Sequence, residues 1–342
     1  MQFIAYTVKG LENIATGEIA RLVKDVQILE SAPKRLVFET AGIAKLRELR
    51  TVDDIGLVLN RGKVTDPNDL ADFMHKLDLP TAKKTIEQIR PNLTDTFSIT
   101  TTLAGVRGYT VDDVVRVASK TMERKTKWKF TEQDRSNFDI RIFIDRSEMY
   151  CSVRLLANGL HERAYKTHSR QGSLRATIAA AMVDLASQDE HNLKVVDNFC
   201  GSGTILAEAL IAHNEVYGGD IEQESVKFTR QNLSNLGYDK LTQIAQLNAT
   251  KTKWPSNFFD CAISNLPWGK QIEIERITDL YRDTLQEYAR ILKPNGALCL
   301  LVGSKPELLV KHAKLAFPNT TIKTWRLGYL GQTPTLVLIK PK

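Results

Sequence analysis

Asn265-Leu266-Pro267-Trp268 puts an amide side chain, a stiff stretch of backbone and a flat ring next to one another. The segment follows Phe258-Phe259-Asp260-Cys261-Ala262-Ile263, a short apolar run that reads as a buried strand. Asn265 is therefore expected just past the strand's C-terminal edge, where open α/β sheets place their ligands. Pro267 fixes its own φ and pushes Leu266 toward extended geometry, so the backbone leaves the strand along a constrained path. Such a path can aim the Asn265 amide and the carbonyls of Leu266 or Pro267 at one point. Trp268 adds an apolar face on which a nucleobase could stack, worth roughly 1–3 kcal/mol. Acceptors and ring together suit an exocyclic base amine. The plainer alternative is a proline-ended strand with a tryptophan plug. Gly269 and Lys270 complete the stretch.

A second cluster lies upstream. A strand at 193–197 runs into Asn198-Phe199-Cys200-Gly201-Ser202-Gly203-Thr204. Glycines between a strand and a helix let a cofactor approach the backbone, and the helix N-terminus offers free N–H groups. A nicotinamide dinucleotide is the first rival, but its G-x-G-x-x-G fingerprint requires a small residue where this chain has Leu206. Asp197, ending the strand, suits the charged amino-acid portion of S-adenosylmethionine. Asp220, ending the next strand and followed by Ile221, is placed to accept hydrogen bonds from ribose hydroxyls, as either cofactor would require. Asn248-Ala249, after the third strand, would flank the adenine.

The elements that position these clusters alternate. A helix runs through 185, strands fall at 193–197, 216–220, 242–247, 260–264 and 297–302, and helices start at 204 and 222, the pattern of a parallel doubly wound sheet. Two last strands at 320–327 and 335–339 are joined by a turn short enough to make them antiparallel neighbours. Upstream, strands and helices over 1–60 follow the order βαββαβ of a ferredoxin-like unit. A second α/β unit follows from about residue 66 to 156. Its helix carries Arg116, Lys120, Arg124 and Lys127 at spacings of four, four and three, with Val114, Val117, Ala118 and Thr121 nearer the other side. Lys125, Lys129 and Arg135 extend the charge. Such a face suits a phosphate backbone, and an ordinary solvated helix face is the equal alternative. Residues 157–172 lack periodicity and read as a linker, to which Arg163, Lys166 and Arg170 add positive charge. His161 and His168 have no acidic or cysteine partner at ligand spacing, so RNA contact or plain surface is expected of them.

Composition sets the outer bounds. Of 342 residues, 42% are hydrophobic and 25% charged, which excludes disorder, and the net charge of +7 favours a polyanionic partner. Cys151, Cys200, Cys261 and Cys299 have no C-x-x-C spacing and read as reduced thiols, with no zinc or redox site. No charged leader precedes an apolar core, and no apolar run approaches the ~20 residues of a membrane helix. A soluble cytoplasmic protein is expected, with no membrane or metal partner.

Taken together, Asp197 to Thr204, Gly218-Gly219-Asp220, the 265–270 stretch and Lys293-Pro294-Asn295-Gly296 resemble the THUMP-domain tRNA guanosine-N2 methyltransferases. The resemblance covers the whole chain. It implies an α/β multidomain protein: an N-terminal ferredoxin-like domain at 1–60, a THUMP RNA-binding domain at 61–156, a linker at 157–172, and a Rossmann-like class I methyltransferase domain at 173–342 that opens on Gln171-Gly172-Ser173-Leu174-Arg175. It implies S-adenosylmethionine as cofactor, tRNA as partner and a monomer. Asp197, Phe199, Cys200, Gly201, Ser202, Gly203, Thr204, Asp220, Ile221, Asn248, Ala249 and Asn265 would bind the cofactor, with Asn265, Leu266, Pro267 and Trp268 as the catalytic set. Arg116, Lys120, Arg124, Lys127, Arg163, Lys166 and Arg170 would bind RNA. An N-L-P-aromatic motif resembles the enzymes acting on acceptor-stem position 6, whereas those acting on position 10 more often carry D-P-P-Y. Amino methyltransferases of ribosomal RNA or of adenine N6 in DNA remain alternatives. A non-enzymic RNA-binding protein would be expected to have lost Asp197, Gly201, Gly203, Asp220 or Asn265, and all are present.

Overall fold

A computed structural model describes residues 1–91, 93–105, 108–132, 138–237, 242–268 and 274–342. Arg135, Gly269 and Lys270 lie outside them. The chain forms two units, one of Met1–Thr7 with Thr16–Leu160 and one of Val8–Ala15 with His161–Lys342.

The first unit contains β1 (Gln2–Tyr6), most of α1 (Glu12–Leu22), β2 (Gln27–Ala32), β3 (Arg35–Glu39), a 3-10 turn at Ala44–Glu48, β4 (Asp54–Lys63), α2 (Pro67–His75) and α3 (Leu79–Glu87). It continues through β5 (Thr96–Ala104), α4 (Val111–Thr126), β6 (Lys129–Phe130), β7 (Phe138–Asp145) and β8 (Glu148–Arg154). Its strands form one sheet in the order β2-β3-β1-β4-β8-β7-β5-β6. The sequence pattern separates the stretches before and after residue 60, but the sheet runs across that point. β4 extends to Lys63 and pairs with β8 from Gly56↔Arg154 to Lys63↔Glu148. Pairing between residues about ninety positions apart leaves no mark on local periodicity.

α4 starts at a capping box: Thr110 Oγ1 accepts from Asp113 N, and the Asp113 carboxylate accepts from Thr110 N. Val114, Ala118, Thr121 and Met122 form its buried stripe. Arg116, Lys120, Arg124 and Lys127 are exposed. Arg116 pairs with Asp113 one turn back. Lys125 donates instead to the carbonyls of His75 and Leu77.

Asp54 is 3% exposed and accepts from Arg154 (Nε 2.9 Å, Nη2 2.6 Å) and from Arg141 (3.0 Å). Asp139 lies farther off, 3.5 Å from Arg141 and 3.8 Å from Arg154, so Asp54 makes the closest pairs in a cluster of two carboxylates and two guanidinium groups on neighbouring strands. Asp54→Ala would leave both with only the longer pairs to Asp139, at a cost on the order of 3 kcal/mol. The expected result is a lower urea midpoint with an unchanged m value; a midpoint within error of the parent would show that the cluster does not hold this sheet.

The second unit holds α5 (Ala176–Ser187), β9 (Lys194–Asp197), α6 (Thr204–Ile211), β10 (Glu215–Asp220), α7 (Gln223–Ser234), β11 (Thr242–Gln246) and β12 (Phe259–Asn265). It ends with α8 (Ile274–Ile291), β13 (Leu292–Val302), α9 (Pro306–Ala316), β14 (Thr320–Arg326) and β15 (Thr335–Pro341). The strand order is β11-β10-β9-β12-β13-β15-β14, parallel from β11 to β13 and antiparallel across β15 and β14. This is the expected doubly wound sheet with an antiparallel final hairpin. Residues of α5 and α6 cover one face, and residues of α8 and α9 the other. The order reverses between β9 and β12, and such a switch point opens a crevice at the C-terminal strand ends.

Candidate active site

β9 and β12 are parallel neighbours, in register at Cys261↔Val195 and Ala262↔Val196. Their C-terminal ends release the glycine turn and Asn265 side by side. Ser264 Oγ, on β12, donates to Asp197 Oδ1, on β9, at 2.6 Å.

The turn is pinned from several sides. Cys200 N donates to Gly219 O at 2.9 Å, and Gly201 N to Asp220 Oδ2 at 3.0 Å, tying it to the end of β10. Gly201 (φ +53°) and Gly203 (φ +79°) are left-handed, where a side chain is strained. A Cβ on Gly203 would also come within 2.9 Å of Thr229, whereas one on Gly201 would meet nothing within 4 Å. Open space therefore lies in front of Gly201. Leu206 does not obstruct the turn, because it sits against Gly218 on β10, where a Cβ would fall 2.6 Å from Leu206 Cδ1. Removing the side chain on the strand makes room for the one on the helix.

Asp197 is 1% exposed and accepts from Phe199 N (3.0 Å) as well as from Ser264, whose hydroxyl lies 2.6 Å from Tyr288 OH of α8. Burial pushes the Asp197 carboxyl up to about 7, against the lowering effect of those two donors. Burial likewise raises the Tyr288 hydroxyl, and the Asp197 charge raises it further. Beside them, Asn198 Oδ1 accepts from Trp254 Nε1 at 3.0 Å. Asn198 Nδ2 and Thr204 Oγ1 are buried without a partner among the described residues. Buried polar groups are usually paired, and at the end of β9 and the start of α6 either a ligand or an ordered water would satisfy these two.

The remaining cofactor candidates line the rim. Asp220 uses its second carboxylate oxygen to accept from Glu222 N, and Ile221 is 67% exposed, an apolar side chain open to a planar ligand. Asn248 is exposed, its oxygen held by the backbone and hydroxyl of Thr250, and Ala249 is buried. Phe199 packs on the α8 side of the sheet. The set fits a nucleoside with a charged amino-acid tail: unpaired donors at the turn, a carboxylate at the second strand end and an apolar rim.

Residues 161–172 carry no helix or strand and belong to the second unit. Arg163 Nε and Tyr165 OH donate to the buried Glu208 of α6 at 3.1 and 2.6 Å. Lys166 Nζ donates to Leu174 O at 2.7 Å, and burial lowers its pKa. Arg170 pairs with Glu222 and Ser225. Thr167 N and His168 N donate to Asn232 Oδ1, and Asn232 Nδ2 to Ser202 O. His168 stacks on Phe228. The three cations read as RNA contacts thus also fasten this segment to the catalytic unit.

At Asn265 the surroundings are tighter than the sequence implies. Trp268 Nε1 donates to Asn265 Oδ1 at 2.8 Å, and the half-buried ring lies against Gly303 and edge-on to Tyr329. Leu266 is fully buried in the core on the α8 side, and its N–H donates to Leu301 O. Its side chain cannot read a base; only its backbone is left to serve the site. Ser264, Tyr288, Trp254, Glu208, Asn232 and Tyr329 escaped the sequence reading because their partners are distant in the chain. Gly218 inside a strand and Gly303 just after one carried a usable signal, since glycine there marks a close approach.

Among the described residues no three His, Cys, Asp or Glu side chains group to hold a metal, and no helix is long and apolar enough to cross a membrane.

Residues 163–329 match the RMKL-like, methyltransferase domain family (UPF0020). The chain is 31% identical over 214 residues to the U6 snRNA (guanine-N(2))-methyltransferase THUMPD2 of Bos taurus, covering 62% of this chain and 41% of that protein. It thus spans less than half the length of that relative. It is 23% identical over 340 residues to the tRNA (guanine(6)-N2)-methyltransferase of Archaeoglobus fulgidus, covering 89% of this chain and 83% of that one. Among solved structures, TrmN from Thermus thermophilus superposes with a TM-score of 0.83 at 21% identity, over 100% of this chain and 99% of that chain, so the two share a fold.

Asp197 has a folded-state pKa of about 7 against about 3.9 unfolded, so folding favours its protonated form. Its contribution to stability is complete below about pH 4 and is lost as the pH rises through 7. Asp197→Asn is neutral throughout. The stability difference should therefore move in the variant's favour by up to about 4 kcal/mol between pH 4 and 8, read from urea midpoints. A difference constant with pH would contradict the raised pKa.

Proposed function

We propose that this chain, whose residues 163–329 belong to the RMKL-like methyltransferase domain family, transfers the methyl group of S-adenosylmethionine to the exocyclic N2 amine of a guanosine in RNA. The observation that carries this reading is the placement of Asn265 beside the glycine turn, with the Ser264–Asp197 hydrogen bond joining the two strand ends. The names of the relatives point the same way, since both describe a guanine-N2 methyltransferase of RNA.

The buried unpaired donors Asn198 Nδ2 and Thr204 Oγ1 would hold the amino-acid portion of the cofactor, with Asp197 as the negative charge opposite its ammonium. Asp220 would take the ribose hydroxyls, and Ile221 and Ala249 the adenine. When bound, this cofactor supplies a methyl already activated by its sulfonium, so no strong base is demanded of the protein. Asn265 Oδ1, with a carbonyl from Leu266 or Pro267, would accept the hydrogens of the amine and turn the nitrogen lone pair toward the methyl. Catalysis then comes from positioning and fixed dipoles. A guanosine inside a duplex must first be flipped out to reach this point.

For the RNA, position 6 of the tRNA acceptor stem is the preferred assignment. It is supported by the N-L-P-W motif and by a tRNA relative matched over 83% of its length. A guanosine of another small RNA is the second reading, favoured by the higher identity to the U6 snRNA relative. Residues 61–156 would act as a THUMP RNA-binding domain, with the exposed Arg116, Lys120, Arg124 and Lys127 toward phosphates.

Asn265→Ala is expected to lower methyl transfer at least a hundredfold while cofactor affinity stays within severalfold. Retained turnover would remove Asn265 from the mechanism. Nucleoside analysis with position mapping, on tRNA and small nuclear RNA from cells with and without the gene, separates the two RNA readings. Replacing Arg116, Lys120 and Arg124 with Gln together should weaken RNA binding and flatten the log–log salt dependence by about two to three. An unchanged slope would exclude α4 from the interface.

A further inference from the structure

Trp268 has two chemically distinct parts, a flat face and one N–H donor. The donor is engaged: Nε1 meets Asn265 Oδ1 at 2.8 Å. Indole nitrogen donates and never accepts, so it can face the oxygen of the amide but not its NH2 end. The asparagine is thereby held in one of its two flip states. The ring that imposes this state is itself fixed. A Cβ on Gly303, the residue after β13, would fall 2.4 Å from Trp268 Cγ and 2.5 Å from Cδ2, so only glycine there lets the ring seat. From the turn between β14 and β15, Tyr329 meets the ring edge-on, with centroids 6.4 Å apart and planes at 77°. Three separate pieces of backbone thus converge on the orientation of one amide.

We infer that Trp268 is a positioning residue for methyl transfer, its indole N–H holding the Asn265 amide so that the second lone pair of Oδ1 faces the target amine. The inference rests on the proposed role of Asn265 as acceptor for that amine. An amide oxygen has two lone pairs, so one can take the indole while the other remains for substrate. In the opposite flip the NH2 group would meet the amine donor to donor, and the nitrogen lone pair would not be oriented. Phenylalanine or tyrosine at 268 would keep a face for stacking and lose this donor. The role of the N–H can therefore be tested separately from that of the face.

The test replaces Trp268 in the full chain with β-(benzothiophen-3-yl)alanine by site-specific incorporation, exchanging the N–H for sulfur while keeping the bicyclic shape. Trp268→Phe serves as a second variant. Both are expected to lower kcat for methyl transfer to guanosine-bearing RNA about tenfold, with KM for RNA and affinity for S-adenosylmethionine within severalfold of wild type. Wild-type kcat in the benzothienyl protein would leave stacking as the ring's whole contribution and overturn the inference. A second readout does not depend on turnover. The indole N–H resonance of Trp268, identified in 15N-labelled protein by its loss in Trp268→Phe, should shift and exchange faster in Asn265→Ala. A resonance unmoved by that change overturns the inference whatever the activity. Failure of the wild-type chain to methylate any guanosine-bearing RNA would instead count against the proposed function.

Discussion

The hydrogen bond from Ser264 to Asp197 crosses between the two strands on which the site is built. β9 and β12 are far apart in sequence and adjacent only because the sheet reverses its order between them. The bond ties the two strands together at the C-terminal edge, where the glycine turn follows one and Asn265 ends the other. It also places a carboxyl in a fully buried position, where the Ser264 hydroxyl and the Phe199 N–H are its hydrogen-bond donors and Tyr288 OH bonds the serine. A buried carboxylate without a cation is unfavourable, and the rise of Asp197 to about 7 expresses that cost. The crevice therefore contains a site where a cationic group would be stabilised, which a resting ion pair would have used up.

Around this pair of strands the same packing device recurs. Leu206 fits because Gly218 has no Cβ, Trp268 fits because Gly303 has none, and Thr229 approaches Gly203 in the same way. In each case a large side chain on one element is matched by a glycine on another, and the element ends come closer than two side chains would allow. The consequence is rigidity at the strand ends. Core packing of this kind does not deform gradually, so each glycine–side chain pair acts as a stop that sets where a backbone sits.

The second sheet was legible in the sequence almost strand by strand, because buried parallel strands are short apolar runs and the helices between them carry their own period. The glycine turn and the 265–268 segment were legible for a different reason: each is a contiguous motif whose backbone demands restrict its residues. What could not be read was who faces whom. Leu206 weighed against a dinucleotide on the assumption that nothing would make room for it, yet the room comes from Gly218, a residue on another strand. Leu266 was read for its carbonyl, and the motif gave no sign that its side chain, just past the end of β12, turns into the core on the α8 side. Residues 157–172 read as a linker because they lack periodicity, and within them 161–172 are held in the second unit. Their order comes from single side-chain bonds to Glu208 and Asn232, which follow no period.

Charge shows the same limit. A surplus of +7 counts every arginine equally, but many are committed within the fold: Arg141 and Arg154 to Asp54, Arg163 to Glu208, Arg170 to Glu222, and Arg290 to Glu287. Planar, multiply donating guanidinium groups are suited to such partly buried pairs. The cations left at the surface are a smaller and more specific set. Lys120 and Arg124 on α4, and Lys127 at its left-handed C-cap, are exposed and make no ion pair among the described residues, while Lys125 beside them is drawn off by two carbonyls. Held on one face by the buried stripe of Val114, Ala118 and Met122, these charges cannot spread over the helix. A phosphate chain approaching that face would meet several uncommitted cations at helical spacing, and the salt dependence of its binding would count them, whereas net charge cannot.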